Sequence, residues 1–462
     1  MNPSDVPSWL HEGQARGLAT PQGSGPPPQP PPRRLRGWLL ALVGIGLALA
    51  LVAGLLSLRP SAGLLPPART SSTATPSRFG DPARQVRQVL ALRARAILRH
   101  DRPGFLASVD SRRAGFYRAQ AALFDRMVTA PFSGFSYQLD NPANLATPRI
   151  RRRYAPAPVY LPEVEASYHF RGQDASPVLA RFYYTFVWTG SAWRIAAQDE
   201  LRPAFQSDAE IWDFGPLQTV ATSRTLVVFH PGDGLLAGRL LATAERGYAQ
   251  VAASWSGPWE HKVVILVPRD QDEAERLVGA HDLGQVAAVA ASSIESGPFQ
   301  RVLGNRIVVN SSNVRRYDQL NLQVVITHEM THVATRTLGQ GVPLFIVEGF
   351  ADFTALRPIA QPLAFTRPAL AAAVRAGRFT GALPSDADLR GPSASVAYDA
   401  SSSFCLWVAS TFGEARLQAL YRAFRGAVEP GIGGQDVTFR RVLGVSRATA
   451  QARWAAWVRR VL

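Results

Sequence analysis

The chain has 462 residues, 47% of them hydrophobic and 18% charged, with a formal charge of +16 and one cysteine, Cys405. That apolar content excludes collagen-like and wholly disordered chains, and a single cysteine excludes both an intrachain disulfide and a cysteine-based structural zinc site. All but one of the 50 basic residues are Arg; they are scattered, with no C2H2, RRM or basic-zipper pattern, so the charge reads as coding bias and no nucleic-acid partner is expected.

Residues 1–37 are rich in Pro, Gly and Gln and read as a disordered cytoplasmic tail. Trp38 to Leu58 is a run of 21 residues without a charge. That suits a single helix crossing a hydrocarbon core of ~30 Å. Arg33, Arg34 and Arg36 precede it and Arg59 follows, so the positive-inside rule predicts a cytoplasmic N-terminus and an extracellular remainder. A cleaved signal peptide competes, but the tail is long and the apolar run exceeds the usual ~7–15 residues. Residues 59–80, rich in Ser, Thr and Pro, read as a linker.

Residues 81–203 read as one α+β unit. Helical periodicity covers Gln85 to Leu106 and Gly115 to Val128. Alternating segments follow at Glu163–Phe170, Val178–Thr189 and Ala192–Gln198, with a hairpin signal at Thr189-Gly190-Ser191. This element order resembles the nuclear-transport-factor-2-like (NTF2-like) superfamily, whose pocket is enzymatic, ligand-binding or structural. His169, in these strands, reads as a surface or packed residue. Residues 204–222 read as a second linker, and 223–462 as a second domain. Short strands are expected at Leu226–Phe229, Lys262–Val267 and Arg306–Asn310, with a helix at Leu235–Ala253 and mainly helix after Leu320.

The chemistry concentrates in His328-Glu329-Met330-Thr331-His332, an H-E-x-x-H pattern. Two His four apart lie on one helical face, one turn along. Two imidazoles there can hold one tetrahedral ion at ~2.0–2.1 Å. Glu329 projects beside that ion, where it can take a proton from water. A third ligand spaced as in metzincins is excluded, because Thr335 and Leu338 stand where that pattern needs Gly and His. Downstream, Glu348-Gly349-Phe350-Ala351-Asp352 places two carboxylates one turn apart on an otherwise apolar helix. Glu348 is the candidate third ligand, and Asp352 a partner that orients a ligating His.

H-E-M-T-H followed by E-G-x-A-D resembles the gluzincins, the thermolysin-like zinc metallopeptidases, and among them the peptidase MA-like family. The resemblance spans residues 223–462. It implies a zincin-like fold and one zinc ion per chain held by His328, His332 and Glu348. It also implies Glu329 as catalytic base, Asp352 oriented on the first His, and a peptide or protein substrate. Phe345 stands where that family commonly has Trp, and no G-x-M-E-N motif lies upstream. Arg306–Asn310 resembles the family's edge strand, onto which an extended peptide can add. Tyr398 resembles a family Tyr that can donate to an oxyanion; a capping or packing role is equally open. Near the C-terminus, Trp454, Trp457 and Val461 are expected to pack one face of a helix, a membrane-surface helix being the other reading. Cys405 reads as a small core residue.

The expectation is therefore a single-pass cell-membrane zinc metallopeptidase with its catalytic domain outside. The alternatives are a non-catalytic zincin-fold scaffold and a ligand sensor built on residues 81–203.

Overall fold

The computed structural model describes residues 81–294, 302–336, 341–424 and 432–462. The expected tail (1–37), membrane helix (38–58) and linker (59–80) lie outside the described residues. Among the described residues no helix is long and apolar enough to cross a membrane.

Helix α1 (Pro82–Leu98) starts where Asp81 caps the Ala83 amide and Pro82 presets the first turn. Val86, Leu90, Ala94 and Ile97 form its buried stripe. The expected helix to Leu106 is interrupted, because Asp101 caps a separate short helix, α2 (Arg102–Leu106), with Pro103 in its first turn. Helix α3 (Ala114–Met127) follows. Next come β1 (Phe132–Asn141), α4 (Pro148–Tyr154), β2 (Val159–Tyr160), β3 (Glu163–Phe170), β4 (Val178–Phe182), β5 (Tyr184–Trp188) and β6 (Trp193–Gln198). They form two antiparallel sheets, β1-β3-β4 and β2-β5-β6.

On β3, Val164, Ala166, Tyr168 and Phe170 face inward while His169 lies on the more exposed face. The single strand expected over Val178–Thr189 is two strands in different sheets. The chain turns between them at Tyr183, whose amide bonds the Ser207 hydroxyl instead of a neighbouring strand. Phe182, Tyr183 and Tyr184 are all buried, so period-two alternation fails there. Aromatic rings fill the centre of the unit, leaving a cavity of about 10 Å³ beside Tyr137, Tyr184 and Trp212, room for at most about one water; a more open groove of about 700 Å³ lies at Asp110, Arg112, Tyr154 and Trp188.

Residues 204–222 were expected to link two domains. They instead carry a 3-10 turn, Ile211–Asp213, and a strand, β7 (Gln218–Ala221). Ile211 and Trp212 are buried in the first unit, and Trp212 meets Phe132 and Tyr168 edge-on, each at 5.0 Å.

The chain continues through β8 (Thr225–Phe229), α5 (Gly234–Ser254), β9 (Val263–Val267), α6 (Gln271–Val278), β10 (Ala288–Ile294) and β11 (Val302–Val309). The sheet order is β10-β11-β9-β8-β7. Strands β8, β9 and β11 run parallel, and the two outer strands are antiparallel. Both faces are covered, as the nearly unbroken apolar runs require. Leu226, Val228, Val264, Leu266, Val289 and Val308 face a cluster shared by α6 and the core of the first unit. Val227, Phe229, Ile265, Ile307 and Val309 face the helical half. The segment Arg306–Asn310, expected at a sheet edge, is interior. The edge is β10, whose Ala- and Ser-rich sequence carries little strand signal.

The helical half comprises α7 (Ser311–Val314), α8 (Gln319–Thr335), α9 (Leu344–Leu356), α10 (Leu363–Thr366), α11 (Pro368–Arg375), α12 (Asp386–Arg390), α13 (Ala394–Phe412), α14 (Glu414–Phe424), α15 (Ile432–Leu443) and α16 (Arg447–Val461). On α16 the buried residues are Ala450, Trp454, Ala455 and Val458, and Trp457 is partly buried against the core. The expected face is corrected at Val461, which is 43% exposed. Trp454 donates its indole N–H to Ser403 Oγ at 3.1 Å. Cys405 is buried in the core. The molecule is thus a mixed α and β fold.

Candidate metal centre

Helix α8 begins at Asp318, which accepts from the Asn321 amide, and its later turns are buried almost all round. His328, Glu329, Met330 and Thr331 are each at most 1% exposed. A charged residue in such a place is costly unless it is paired or holds an ion. Helix α9 lies alongside and carries Glu348 and Asp352. Its close approach to α13 requires Gly349: a Cβ there would stand 2.5 Å from the Ser401 carbonyl oxygen. The glycine of the E-G-x-A-D segment therefore sets how deeply Glu348 is seated.

His328 and His332 are one turn apart, with ring centroids 4.7 Å apart and planes at 80°. Their Nε2 atoms are 3.0 Å apart. Glu348 Oε2 lies 3.4 Å from the His328 nitrogen and 3.5 Å from that of His332. His328 Nδ1 is 2.8 Å from Asp352 Oδ1. With a proton on Nδ1, shared with that carboxylate, the lone pair of His328 Nε2 points to the other two donors. Glu348 Oε2 is buried without a hydrogen-bond donor.

Donors at ~2.0–2.2 Å from one tetrahedral ion stand roughly 3.3–3.6 Å from each other. The observed separations are close to that, and the set combines two neutral nitrogens with a carboxylate, as zinc accepts. Among the described residues this is the group of His, Cys and carboxylate side chains able to hold a metal ion. An orphaned buried carboxylate oxygen aimed at two imidazoles fits the same cation.

The protonation preferences follow from the same contacts. Burial alone would push the Glu348 carboxyl up, but the positive charge that the two nearby imidazoles carry when protonated outweighs it and holds it at about 2. Burial lowers His328, yet hydrogen bonding to Asp352 and that carboxylate's charge carry it well above the ordinary imidazole value. Glu329 is raised by burial, and the imidazoles only partly offset this.

Glu329 does not join the three converging atoms. Its Oε2 accepts the Ala290 amide of β10 at 2.7 Å, while its Oε1 is buried with no hydrogen-bond partner. Tyr398 is buried near the start of α13, one turn before Ser401, whose carbonyl faces Gly349. The structure therefore brings His328, Glu329, His332, Glu348 and Asp352 together, and places Tyr398 on a helix packed against α9.

Three features of the site escaped the sequence reading. Arg336, at the end of α8, donates from a terminal guanidinium nitrogen to the Ala290 carbonyl oxygen. Its spacing, four residues beyond His332, was a visible signal of a shared face. Arg367 is buried, donates to Ser402 Oγ at 2.6 Å, and acts electrostatically on both Asp352 and Asp399. Asp399 accepts the Ala369 and Leu370 amides at the start of α11, at 2.7 and 3.1 Å, and burial raises its carboxyl to about 7.

No family model and no curated protein matches the chain. Among solved structures, native yeast LTA4 hydrolase is similar at 11% identity and a TM-score of 0.34, over 65% of this chain and 44% of that one. A variant of the M1 zinc metallopeptidase from Deinococcus radiodurans is similar at 12% identity and a TM-score of 0.30, over 71% of each chain. The same enzyme with a bound Tyr-Ser-Ala substrate gives 11% and 0.29, over 71% of this chain and 70% of that one. The chain spans less than half the length of the yeast structure.

Proposed function

We propose that the chain is a zinc metallopeptidase that hydrolyses peptide bonds, with Glu329 as general base. One observation carries this reading. Three donor atoms, from His328, His332 and Glu348, converge beside a fourth buried group, Glu329, which is not one of them and keeps an oxygen unpartnered. One zinc ion per chain held there would supply Lewis acidity, acidifying water and polarising a peptide carbonyl.

The chain's own residues do the rest. Asp352 fixes the tautomer of His328 by taking its Nδ1 proton in a hydrogen bond. The Ala290 amide holds Glu329 Oε2, so Oε1 is the atom that accepts a proton from the attacking water and delivers it to the leaving amine. Burial raises the proton affinity of Glu329, which brings a carboxylate closer to the range suited to proton transfer near neutrality. Tyr398 is assigned to the developing oxyanion. The uncharged run Trp38–Leu58 is assigned as a single membrane anchor with the catalytic part outside the cell, on the charge asymmetry around it.

In a scaffold that merely kept this fold, Glu329 would serve only to accept the Ala290 amide. Its other oxygen, buried without a partner, costs on the order of 1–3 kcal/mol or more, and a neutral acceptor would do the same work. Metal analysis of the purified full-length chain tests the assignment. It should carry one zinc, lose peptide hydrolysis with a chelator, and recover on adding zinc. His328→Ala and Glu348→Ala should each lose both metal and hydrolysis. A wild-type chain that binds no zinc would refute the proposal.

A further inference from the structure

On edge strand β10, the N–H and C=O of one residue, Ala290, both turn toward helix α8. Glu329 takes the N–H and Arg336 takes the C=O. The two side chains are seven residues apart, two turns of one helical face, ~10.5 Å along the axis. Arg336 itself continues the helical conformation (φ −62°, ψ −35°). Side chains on a helix lean toward its N-terminus, so the long Arg336 side chain reaches back along the His332 turn to the strand. His328, His332 and Arg336 are spaced by four and share that face. The carboxylates of Glu329 and Glu348 act electrostatically on the same guanidinium.

The arrangement is a clamp. A residue at a sheet edge has a pair of backbone groups with no strand to receive them. Here both are held by the helix that carries the metal-binding His pair. The Ala290 amide can hold Glu329 Oε2 only while the residue keeps its orientation. Pairing with β11 holds Ala288 to Ala291 from one side, and the ladder becomes irregular between Ala291 and Ser293; the Arg336 bond steadies the peptide that follows Ala290, next to that irregularity. Without Arg336 this end of the strand loosens, and the contact that leaves Glu329 Oε1 as the free oxygen weakens.

We propose that Arg336 is a positioning residue for Glu329, acting through the backbone of Ala290; this rests on the peptidase reading above. It touches neither the metal-binding atoms nor, in this role, the substrate. Losing it therefore weakens turnover while leaving zinc binding and substrate affinity largely intact.

The test uses the full-length chain in four forms: wild type, Arg336→Met, Arg336→Lys and Ala290→Pro. Met keeps length but donates no hydrogen bond, whereas Lys still offers a donor to the carbonyl. Pro removes the Ala290 N–H and sets its ring carbon where that hydrogen bond runs, so it abolishes the contact with Glu329 from the strand side. Arg336→Met should bind one zinc per chain and lose kcat by roughly 10–100-fold, the usual range for residues that orient a metal site, with KM little changed. Arg336→Lys should recover most of that loss. Ala290→Pro should lose kcat similarly, and the double variant should lose no more than either, because both act on one contact. Independently of activity, amide hydrogen exchange on zinc-free protein should show Ala290 protected in wild type and unprotected in Arg336→Met.

A raised KM with normal kcat in Arg336→Met would overturn the proposal, since Arg336 would then contact substrate. Faster turnover would overturn it too, because the clamp would then be inhibitory. If Arg336→Met does not fold, full activity in Ala290→Pro still overturns it. A wild type that binds zinc but cuts no peptide refutes the peptidase reading itself, and this role with it.

Discussion

Asp352 and His328 are joined across two helices by a 2.8 Å contact between Oδ1 and Nδ1. The contact turns the far nitrogen of His328 toward His332 and Glu348, and it supplies negative charge that raises the imidazole's basicity. Asp352→Ala should therefore weaken zinc affinity by about 10–100-fold without unfolding the protein. Chelator competition on the purified variant measures this; an affinity equal to wild type would show that packing alone orients His328.

Gly349 makes a second, steric prediction. A methyl group there would stand 2.5 Å from the Ser401 carbonyl oxygen and 2.7 Å from its carbon. Both are backbone atoms that cannot swing aside, so α9 and α13 must separate. Gly349→Ala should destabilise the fold by about 1–3 kcal/mol and displace the neighbouring Glu348. Thermal unfolding and zinc titration should both register the change; a variant matching wild type in both would mean the helices slide freely.

The five-stranded sheet makes residues 223–462 dependent on the first unit. Six apolar side chains, Leu226, Val228, Val264, Leu266, Val289 and Val308, share one apolar cluster with α6 residues Ala274 and Val278 and with the first unit's core. At about 1.5–3 kcal/mol for each side chain fully exposed, even partial uncovering of this face is comparable with the ~5–15 kcal/mol net stability of a domain. Arg306, 5% exposed and bonded to both Asp174 oxygens at 2.6 and 2.8 Å, would also lose its partner. A fragment comprising residues 223–462 should be insoluble or molten, whereas residues 81–462 should unfold in one transition. A soluble, cooperatively folded shorter fragment would contradict this packing.

Glu210 links stability to pH. Burial raises its carboxyl to about 8, although the Tyr168 hydroxyl, donating at 2.8 Å, partly offsets this. The folded state thus keeps a proton that the unfolded chain releases near ~4.3. Because the folded state binds the extra proton, stability should fall as pH rises from about 5 to 8 and level off above that. Glu210→Gln should flatten the fall across that window. Denaturant unfolding of both proteins at several pH values would reveal it; parallel curves would mean that Glu210 is ionised in the fold.

The legible parts of the site were those set by short-range geometry. His328, Glu329 and His332 occupy neighbouring turns of one helix, and Glu348 and Asp352 neighbouring turns of another, so spacing alone placed each pair on a face. What the sequence did not reveal depends on contacts between distant segments. The edge strand near the site is Ala288–Ile294, an Ala- and Ser-rich stretch with weak strand preference, while the β-branched segment around Ile307 lies inside the sheet. Strand β1 was missed because bulges near Phe132 and Leu139 break its alternation. Residues 204–222 read as a linker because Ile211 and Trp212, two apolar residues in a polar stretch, dock into a core whose partners, Phe132 and Tyr168, lie some forty to eighty residues earlier. Arg336 had the right helical spacing, but only the packed structure shows the carbonyl that it reaches.

In the proposed reaction Glu329 is a base and not a ligand. Glu329→Gln preserves shape and can still accept the Ala290 amide, but it cannot carry a proton away from water. Zinc content and peptide hydrolysis should be measured side by side on the full-length wild type and Glu329→Gln, with an unfolded protein or peptide library as substrate. The predicted result is one zinc per chain in both, with hydrolysis in the wild type and nearly none in the variant. A variant that cuts as well as the wild type, or a zinc-loaded wild type that cuts nothing, would contradict it.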